Sequence, residues 1–268
     1  MLRKYGIYGF DELGKTIYSV SGNKVRKTYE LVVYDPNSKS FTDFSVLEGC
    51  DIIIYTKRMM FCPESKAFVT DEVEDILKKL KNINFNGVLV FKQTFLPGTL
   101  DLWSEKYGLR IVHNPDFSSD INLMSDFRRS DSQVISGLQE DRFRVMRAYE
   151  FLFNYYINFR QYDSFLVTEI TAFMNSALCA SRFAIVRHFQ ELARQMGVDF
   201  SNVRDAFVFC ALEQERFLSP NLIPEDLNSS LSNYAQDSAV FAERFHSKFN
   251  QSVLYSIIAN LKEYGLSK

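Results

Sequence analysis

The chain has 268 residues, enough for one large or two ordinary domains, with 46% hydrophobic and 24% charged residues, the balance of a protein with a sizeable core. A formal net charge of −2 excludes a global basic field for nucleic acid or an anionic membrane surface. Cys50, Cys62, Cys179 and Cys210 form no C-x-x-C pair, so neither a disulfide framework nor a metal centre is expected, and a reducing, cytoplasmic setting is. The start MLRKYGIYGF has no signal-peptide layout, and no uncharged apolar stretch reaches the ~18 residues of a membrane span.

In chain order, Lys4–Gly9 reads as a first strand and Glu12–Val20 as the helix after it. Between them, Gly9-Phe10-Asp11-Glu12-Leu13-Gly14 has the spacing of the phosphate loop G-x-G-x-x-G, with Asp11 where the second glycine belongs. A second strand, Tyr29–Tyr34, ends in Asp35, the place of the ribose-binding acid in dinucleotide folds. Gly9, Gly14 and Asp35 therefore fit a cofactor site and Asp11 does not. The middle glycine lets the backbone approach a pyrophosphate, whereas a carboxylate adds bulk and like charge. Asp11 is equally a helix cap, and the two readings describe one residue.

Cys50–Thr56 is a buried strand, followed by Lys57-Arg58, which either holds an anion or lies in a solvated loop. Pro63–Ala67 reads as a loop and Asp71–Lys81 as an amphipathic helix with Val73, Ile76, Leu77 and Leu80 on one face. The runs Val88–Phe91 and Leu109–Val112 have the apolar, β-branched character of parallel strands, and Gly98–Tyr107 between them has helical spacing. Such a βαβ unit opens its ligand side at the carboxyl ends of its strands, here Thr94 with Leu96-Pro97-Gly98-Thr99, and Asn114-Pro115-Asp116-Phe117. A strand at Gln133–Ser136 closes the first domain near Gly137.

Beyond it the periodicity becomes helical. Asp141–Asn158 is a helix, Tyr162–Val167 a segment returning to the sheet edge, and Thr168–Met196 a helix of roughly 40 Å that Gly197 stops. Ser201–Phe209, the polar loop Pro220–Ser232 and the helix Asp237–Tyr264 complete the chain. The 25 Phe and 14 Tyr indicate an aromatic-rich core or subunit interface. His113, His188 and His246 form no triad or ligand spacing, and His113 reads as a satisfied structural histidine. Cys179 and Cys210 read as buried small hydrophobes rather than nucleophiles.

The segment Lys92-Gln93-Thr94-Phe95-Leu96-Pro97-Gly98-Thr99 resembles the K-S-T-V-x-P-G-T motif of the UDP-glucose/GDP-mannose dehydrogenases, and Asn114-Pro115-Asp116-Phe117-Ser118-Ser119-Asp120 resembles their N-P-E-F-L-x-E loop. Asp126-Phe127 and Val134–Gly137 are similar to the D-F…D-R-V-V-I-G-G that follows. The resemblance implies a Rossmann-like α/β domain (residues 1–137) followed by an all-α dimerisation domain (138–268) with a long central helix. It also implies that a second nucleotide-fold domain would follow the last helix, where this sequence stops. The long helix would form the dimer interface; the alternative is a helix buried within the monomer.

By the same resemblance, the chemistry would be NAD-linked oxidation of a nucleotide sugar through a cysteine nucleophile, with oxyanion donors from the long helix. Thr94 is retained, Asp116 and Asp120 stand for the two glutamates, and Asp237 for a final acid. The family's lysine and asparagine fall on Ala172 and Ser176, and its cysteine on Asn233 within Ser230–Asp237. The expected catalytic positions are thus Thr94, Asp116 and Asp237. Those for the cofactor are Gly9, Asp11, Gly14, Asp35 and Thr94. Those for the substrate are Asp120, Ser176 and Asn233. Without the cysteine and lysine, the expectation is a catalytically degenerate, homodimeric binding or scaffold protein with weak or lost NAD binding. The alternative is an active oxidoreductase working through Thr94, Asp116 and Asp237.

Overall fold

The structure, a computed structural model, describes residues 2–22, 29–62, 64–65, 67–118, 123–129, 132–153, 156–211, 236–240, 243–244 and 259. It divides into two compact units, residues 1–62 with 67–172, and residues 63–66 with 173–268.

The first unit is built on a seven-stranded sheet. Its strands are β1 (Arg3–Tyr8), β2 (Tyr29–Tyr34), β3 (Ile52–Tyr55), β6 (Val88–Phe91), β7 (Arg110–His113), β8 (Ser132–Gly137) and β9 (Asn158–Tyr162), with β4 (Met60–Cys62) and β5 (Ala67–Val69) forming a separate hairpin. The order across the sheet is β2-β1-β3-β6-β7-β8-β9. The first five strands are parallel, β8 runs antiparallel to β7, and β9 is parallel to β8. This is a Rossmann-like arrangement of mostly parallel strands with helices on both faces.

Alternation along the strands feeds two cores. Ile53, Tyr55, Leu89 and Phe91 face one layer; Ile52, Ile54, Val88 and Val90 face the other. Both faces are covered, so the central strands read as continuous apolar runs. Helices α2 (Asp71–Asn82) and α3 (Thr99–Tyr107) cover the first face; α1 (Glu12–Gly22), α4 (Leu123–Arg129) and α5 (Gln139–Phe153) belong to the second. Helix α2 buries Val73, Ile76, Leu77 and Leu80, and carries acids in its first turn and lysines in its last, matching its dipole. Helix α3 is bounded by left-handed glycines, Gly98 (φ +91°) and Gly108 (φ +65°).

Much of the aromatic surplus forms one row. Tyr34, Tyr8, Tyr55 and Phe91 occupy the last rung of four neighbouring strands, with ring centroids 5.3, 4.8 and 5.3 Å apart in turn. Phe95 and Trp103 extend it at 5.0 and 5.2 Å.

The sheet continues past Gly137 through α5 and β9, and the first compact unit runs to Ala172. The sheet-edge strand is Asn158–Tyr162, not Tyr162–Val167, because α6 (Phe165–Gln195) already buries Phe165, Thr168 and Glu169 at helical spacing. The helix expected to reach Asn158 accordingly ends at Phe153. Around the Pro63–Ala67 loop the flanking residues pair as the β4–β5 hairpin.

In the second unit, α6 ends in a Schellman turn. Gly197 adopts φ +69°, the Val198 N–H donates to Ala193 O at 2.9 Å, and the Gly197 N–H to Arg194 O at 3.2 Å. Met174, Leu178, Ile185, Phe189 and Leu192 are exposed along α6, and Met196 just past its end, at steps of three, four and seven. Val203 and Phe207 are exposed on α7 (Phe200–Ala211). Residues 236–240 are helical; the loop 220–232 and most of the expected last helix lie outside the described residues. Among the described residues no helix is long and apolar enough to cross a membrane.

Candidate functional site

The carboxyl edge of the parallel strands gathers the first unit's candidate residues. Two glycines are required sterically where β1 turns into α1. Gly9 has φ +101°, and a Cβ there would lie 2.4 Å from Lys57 Cγ and 2.8 Å from Thr56 Oγ1. A Cβ on Gly14 would lie 2.1 Å from Gly9 O, so the helix rests directly on the loop. The Thr56 hydroxyl is within 3.1 Å of Tyr8 O and 3.0 Å of Gly9 O, tying β3 to the same turn.

The acids in this loop face inward. The Gly14 N–H donates to Asp11 Oδ1 at 3.1 Å, so Asp11 caps α1. Burial raises the Asp11 carboxyl above its usual range, opposed by the Gly14 N–H and by Arg58. Asp35 is buried, and both its oxygens are engaged: Oδ2 accepts from the Phe10 N–H at 2.8 Å and Oδ1 from the Asn37 N–H at 2.9 Å. Phe10 packs on Phe41, whose carbonyl accepts the Asp35 N–H at 2.7 Å, so the stretch after β2 folds back over the loop. Lys57 is neither solvated nor open to an anion, since it pairs with Glu72 at 2.5 Å.

Thr94 lies half-buried after β6, and Asp116 half-buried after β7, the neighbouring strand. The Asp116 N–H donates to Lys92 O at 3.0 Å, and Asp116 Oδ1 accepts from the Ser118 hydroxyl at 2.9 Å. Beneath them, the buried Lys92 ammonium donates to Asn114 Oδ1 at 2.9 Å, and the Asn114 amide donates to Val134 O at 2.8 Å. Burial pulls Lys92 down to about 8, with the Asp116 charge acting in the opposite sense.

His113 is the satisfied structural histidine that its position implied. Its Nε2 lies 2.8 Å from Gln93 O, which can only accept, so the proton is on Nε2 and Nδ1 accepts from the Thr168 hydroxyl at 2.8 Å. Burial holds this imidazole at about 4, opposed by the Gln93 carbonyl and helped by the Lys92 charge.

Sequence reasoning missed Glu169. Fully buried in the first turns of α6, it accepts from the Gly98 N–H at 2.8 Å and the Leu100 N–H at 2.9 Å, so it caps α3 and fixes the turn that follows Thr94. Burial raises its carboxyl to about 7 against the pull of those backbone donors. The one signal for it is a single carboxylate inside the apolar run FLVTEITAF.

In the second unit, two residues assigned to separate roles meet: the buried Ser176 hydroxyl donates to Asp237 Oδ2 at 2.7 Å. Ala172, the last residue of the first unit, is buried. Asp120 and Asn233 lie outside the described residues. Among the described residues, no group of three or more His, Cys, Asp or Glu could hold a metal.

With this geometry in hand, solved structures supply the fold's counterparts. A UDP-glucose dehydrogenase from the hyperthermophilic archaeon Pyrobaculum islandicum superposes with a TM-score of 0.75 at 15% identity, over 98% of this chain and 68% of its own. The two chains share a fold. A GDP-mannose dehydrogenase from Pseudomonas aeruginosa matches with a TM-score of 0.64 at 16% identity, over 97% of this chain and 68% of its own. A 3-hydroxyisobutyrate dehydrogenase from Mycobacterium tuberculosis matches with a TM-score of 0.66 at 12% identity, over 99% of this chain and 94% of its own. No protein-family model matches the sequence.

Proposed function

We propose that this chain is a catalytically degenerate relative of the nucleotide-sugar dehydrogenases, acting as a dimeric binding or scaffold protein with its dinucleotide cradle closed. The observation that carries this reading is the inward turn of the two acids. Asp11 takes the Gly14 N–H and Asp35 takes the Phe10 N–H. A pyrophosphate needs free backbone donors at a helix N-terminus, and a ribose needs a free carboxylate. Here each group satisfies the other within the chain, and an incoming phosphate would meet two carboxylates. Ala172 and Asn233 in place of a lysine and a cysteine support the loss of the oxyanion donor and the sulfur nucleophile.

The exposed stripe from Met174 to Met196 supports a homodimer with α6 at its interface. Its spacing is that of a helix seam, and a stripe of this length exposed on one helix marks an interaction surface. The retained Asn114–Asp116 loop supports a residual site for a nucleotide sugar. A second reading, an oxidoreductase using Thr94, Asp116 and Asp237, draws support from the Ser176–Asp237 contact, which places a hydroxyl on that acid.

Calorimetric titration with NAD and with UDP-glucose separates the two. The closed cradle gives no NAD binding at submillimolar concentration. Tight NAD binding with reduction in the presence of UDP-glucose overturns the proposal.

A further inference from the structure

A lysine sealed inside a sheet is costly, because its ammonium loses water and gains few partners. Lys92 is 4% exposed. Among the described residues its Nζ makes one hydrogen bond, to Asn114 Oδ1, and lies 5.9 Å from the centroid of each of the Phe127 and Tyr149 rings. An apolar side chain of the same length would fill this space with no such cost, and would pack between Phe127 and Tyr149 as readily. The stability of the fold therefore does not explain the charge.

The contacts of Lys92 point elsewhere. Its side chain holds Asn114 and its carbonyl holds the Asp116 N–H, so one residue grips the loop at two points two residues apart. Asn114 passes the restraint on to β8 through Val134 O. The Asp116 carboxylate attracts the ammonium. We propose that Lys92 is the positioning residue of this edge: its buried ammonium holds Asn114, and through it the loop that carries Asp116, in a single conformation.

The groups facing Lys92 are Asp116 on the loop after β7, His113 at the end of β7 and Tyr149 on α5. His113 is neutral throughout the neutral and alkaline range. Lys92 is held below its ordinary value, so at this residue the folded state binds fewer protons than the unfolded chain between about 8 and 10.5, and its own contribution to overall stability rises with pH there. The grip on the loop moves the other way, because a neutral amine loses its attraction for Asp116 and the charge assistance of its bond to Asn114. Two opposite slopes from one proton distinguish positioning from a packing role.

The test is residue-resolved hydrogen exchange, corrected for intrinsic rates, with denaturant unfolding from pH 7 to 9.5, on the wild type and Lys92→Met. In the wild type, protection of the Asp116 amide falls across this range while overall stability, measured against Lys92→Met, climbs; the opposite slope of the buried Cys50 thiol is common to both proteins and cancels in the difference. In Lys92→Met, Asp116 protection is about tenfold lower at pH 7 and does not change with pH, and stability at pH 7 is equal or higher. Unchanged Asp116 protection in the variant, or wild-type protection that rises with pH, overturns the proposal. If Lys92→Met does not fold, the pH slope of Asp116 protection in the wild type decides. No ligand is used, so the result is independent of whether UDP-glucose binds.

Discussion

Asp11→Gly restores the phosphate-loop spacing and removes one carboxylate from the cradle. Asp11 Oδ1 lies 3.1 Å from Gly14 N, so a phosphate oxygen claiming the same N–H would sit ~4 Å from the carboxylate. Two like charges at that distance repel by about 4 kcal/mol at an intermediate effective dielectric, and the helix N-terminus offsets about 0.3–2 kcal/mol. The net penalty of about 2–4 kcal/mol corresponds to roughly 30- to 1,000-fold in affinity. Asp35 still holds the Phe10 N–H in the variant, so the lower end of that range is expected. Glycine is itself a tolerated cap, and folding stability should fall by only a few tenths of a kcal/mol. Asp11→Asn keeps the cap and removes the charge, which separates repulsion from bulk. Titration calorimetry with NAD reads the outcome. A gain under about threefold in Asp11→Gly, or submillimolar NAD binding by the wild type, would refute the electrostatic account.

Glu169→Gln should lower stability by about 1–3 kcal/mol, because its amide serves the Gly98 and Leu100 donors less well. It should also remove a pH slope. With the Glu169 carboxyl raised from 4.5 to about 7, the folded state holds the extra proton, so the stability of the wild type measured against Glu169→Gln falls as pH rises through that window, as denaturant unfolding of both at pH 5 to 8 would show; His113, held down from 6.5 to about 4, gives both proteins an opposite slope that cancels in the difference. Gly14→Ala should destabilise by about 1–3 kcal/mol or more, since its Cβ meets a backbone oxygen rather than a flexible side chain; an unchanged melting temperature would contradict that contact. Light scattering should give twice the 31.2 kDa chain mass, and Phe189→Glu on the exposed stripe should halve it; a monomeric wild type removes the interface.

The parallel strands and the first βαβ units were legible because their signal is local. Ile52–Tyr55 and Val88–Phe91 are apolar at every position, as strands covered on both faces must be. The edge strand β9 was misplaced for the converse reason. Its residues NFRQY are mostly exposed, while the FLV that opens α6 looks strand-like until Thr168 and Glu169 complete the helical face. Helix α4 is seven residues long, too short for a period to emerge, and nothing local encodes the reversal between β7 and β8. In the site, the positions of Gly9, Gly14 and Asp35 could be read from spacing alone. That Asp35 grips the Phe10 N–H instead of facing a ligand could not, because a side chain's partner is a tertiary property. Glu169 shows the same limit, lying 71 residues from the Gly98 amide it serves.

The row of rings across the strand ends carries a practical benefit. Its last member, Trp103, is the chain's single indole, buried and 5.2 Å from Phe95. Tyr55, Tyr8 and Tyr34 stand behind it as donors of excitation energy. Light absorbed by those phenols should emerge as blue-shifted tryptophan emission while the strands stay paired, and as separate tyrosine emission once they part. The protein therefore carries an intrinsic optical gauge of its own sheet, usable without a label.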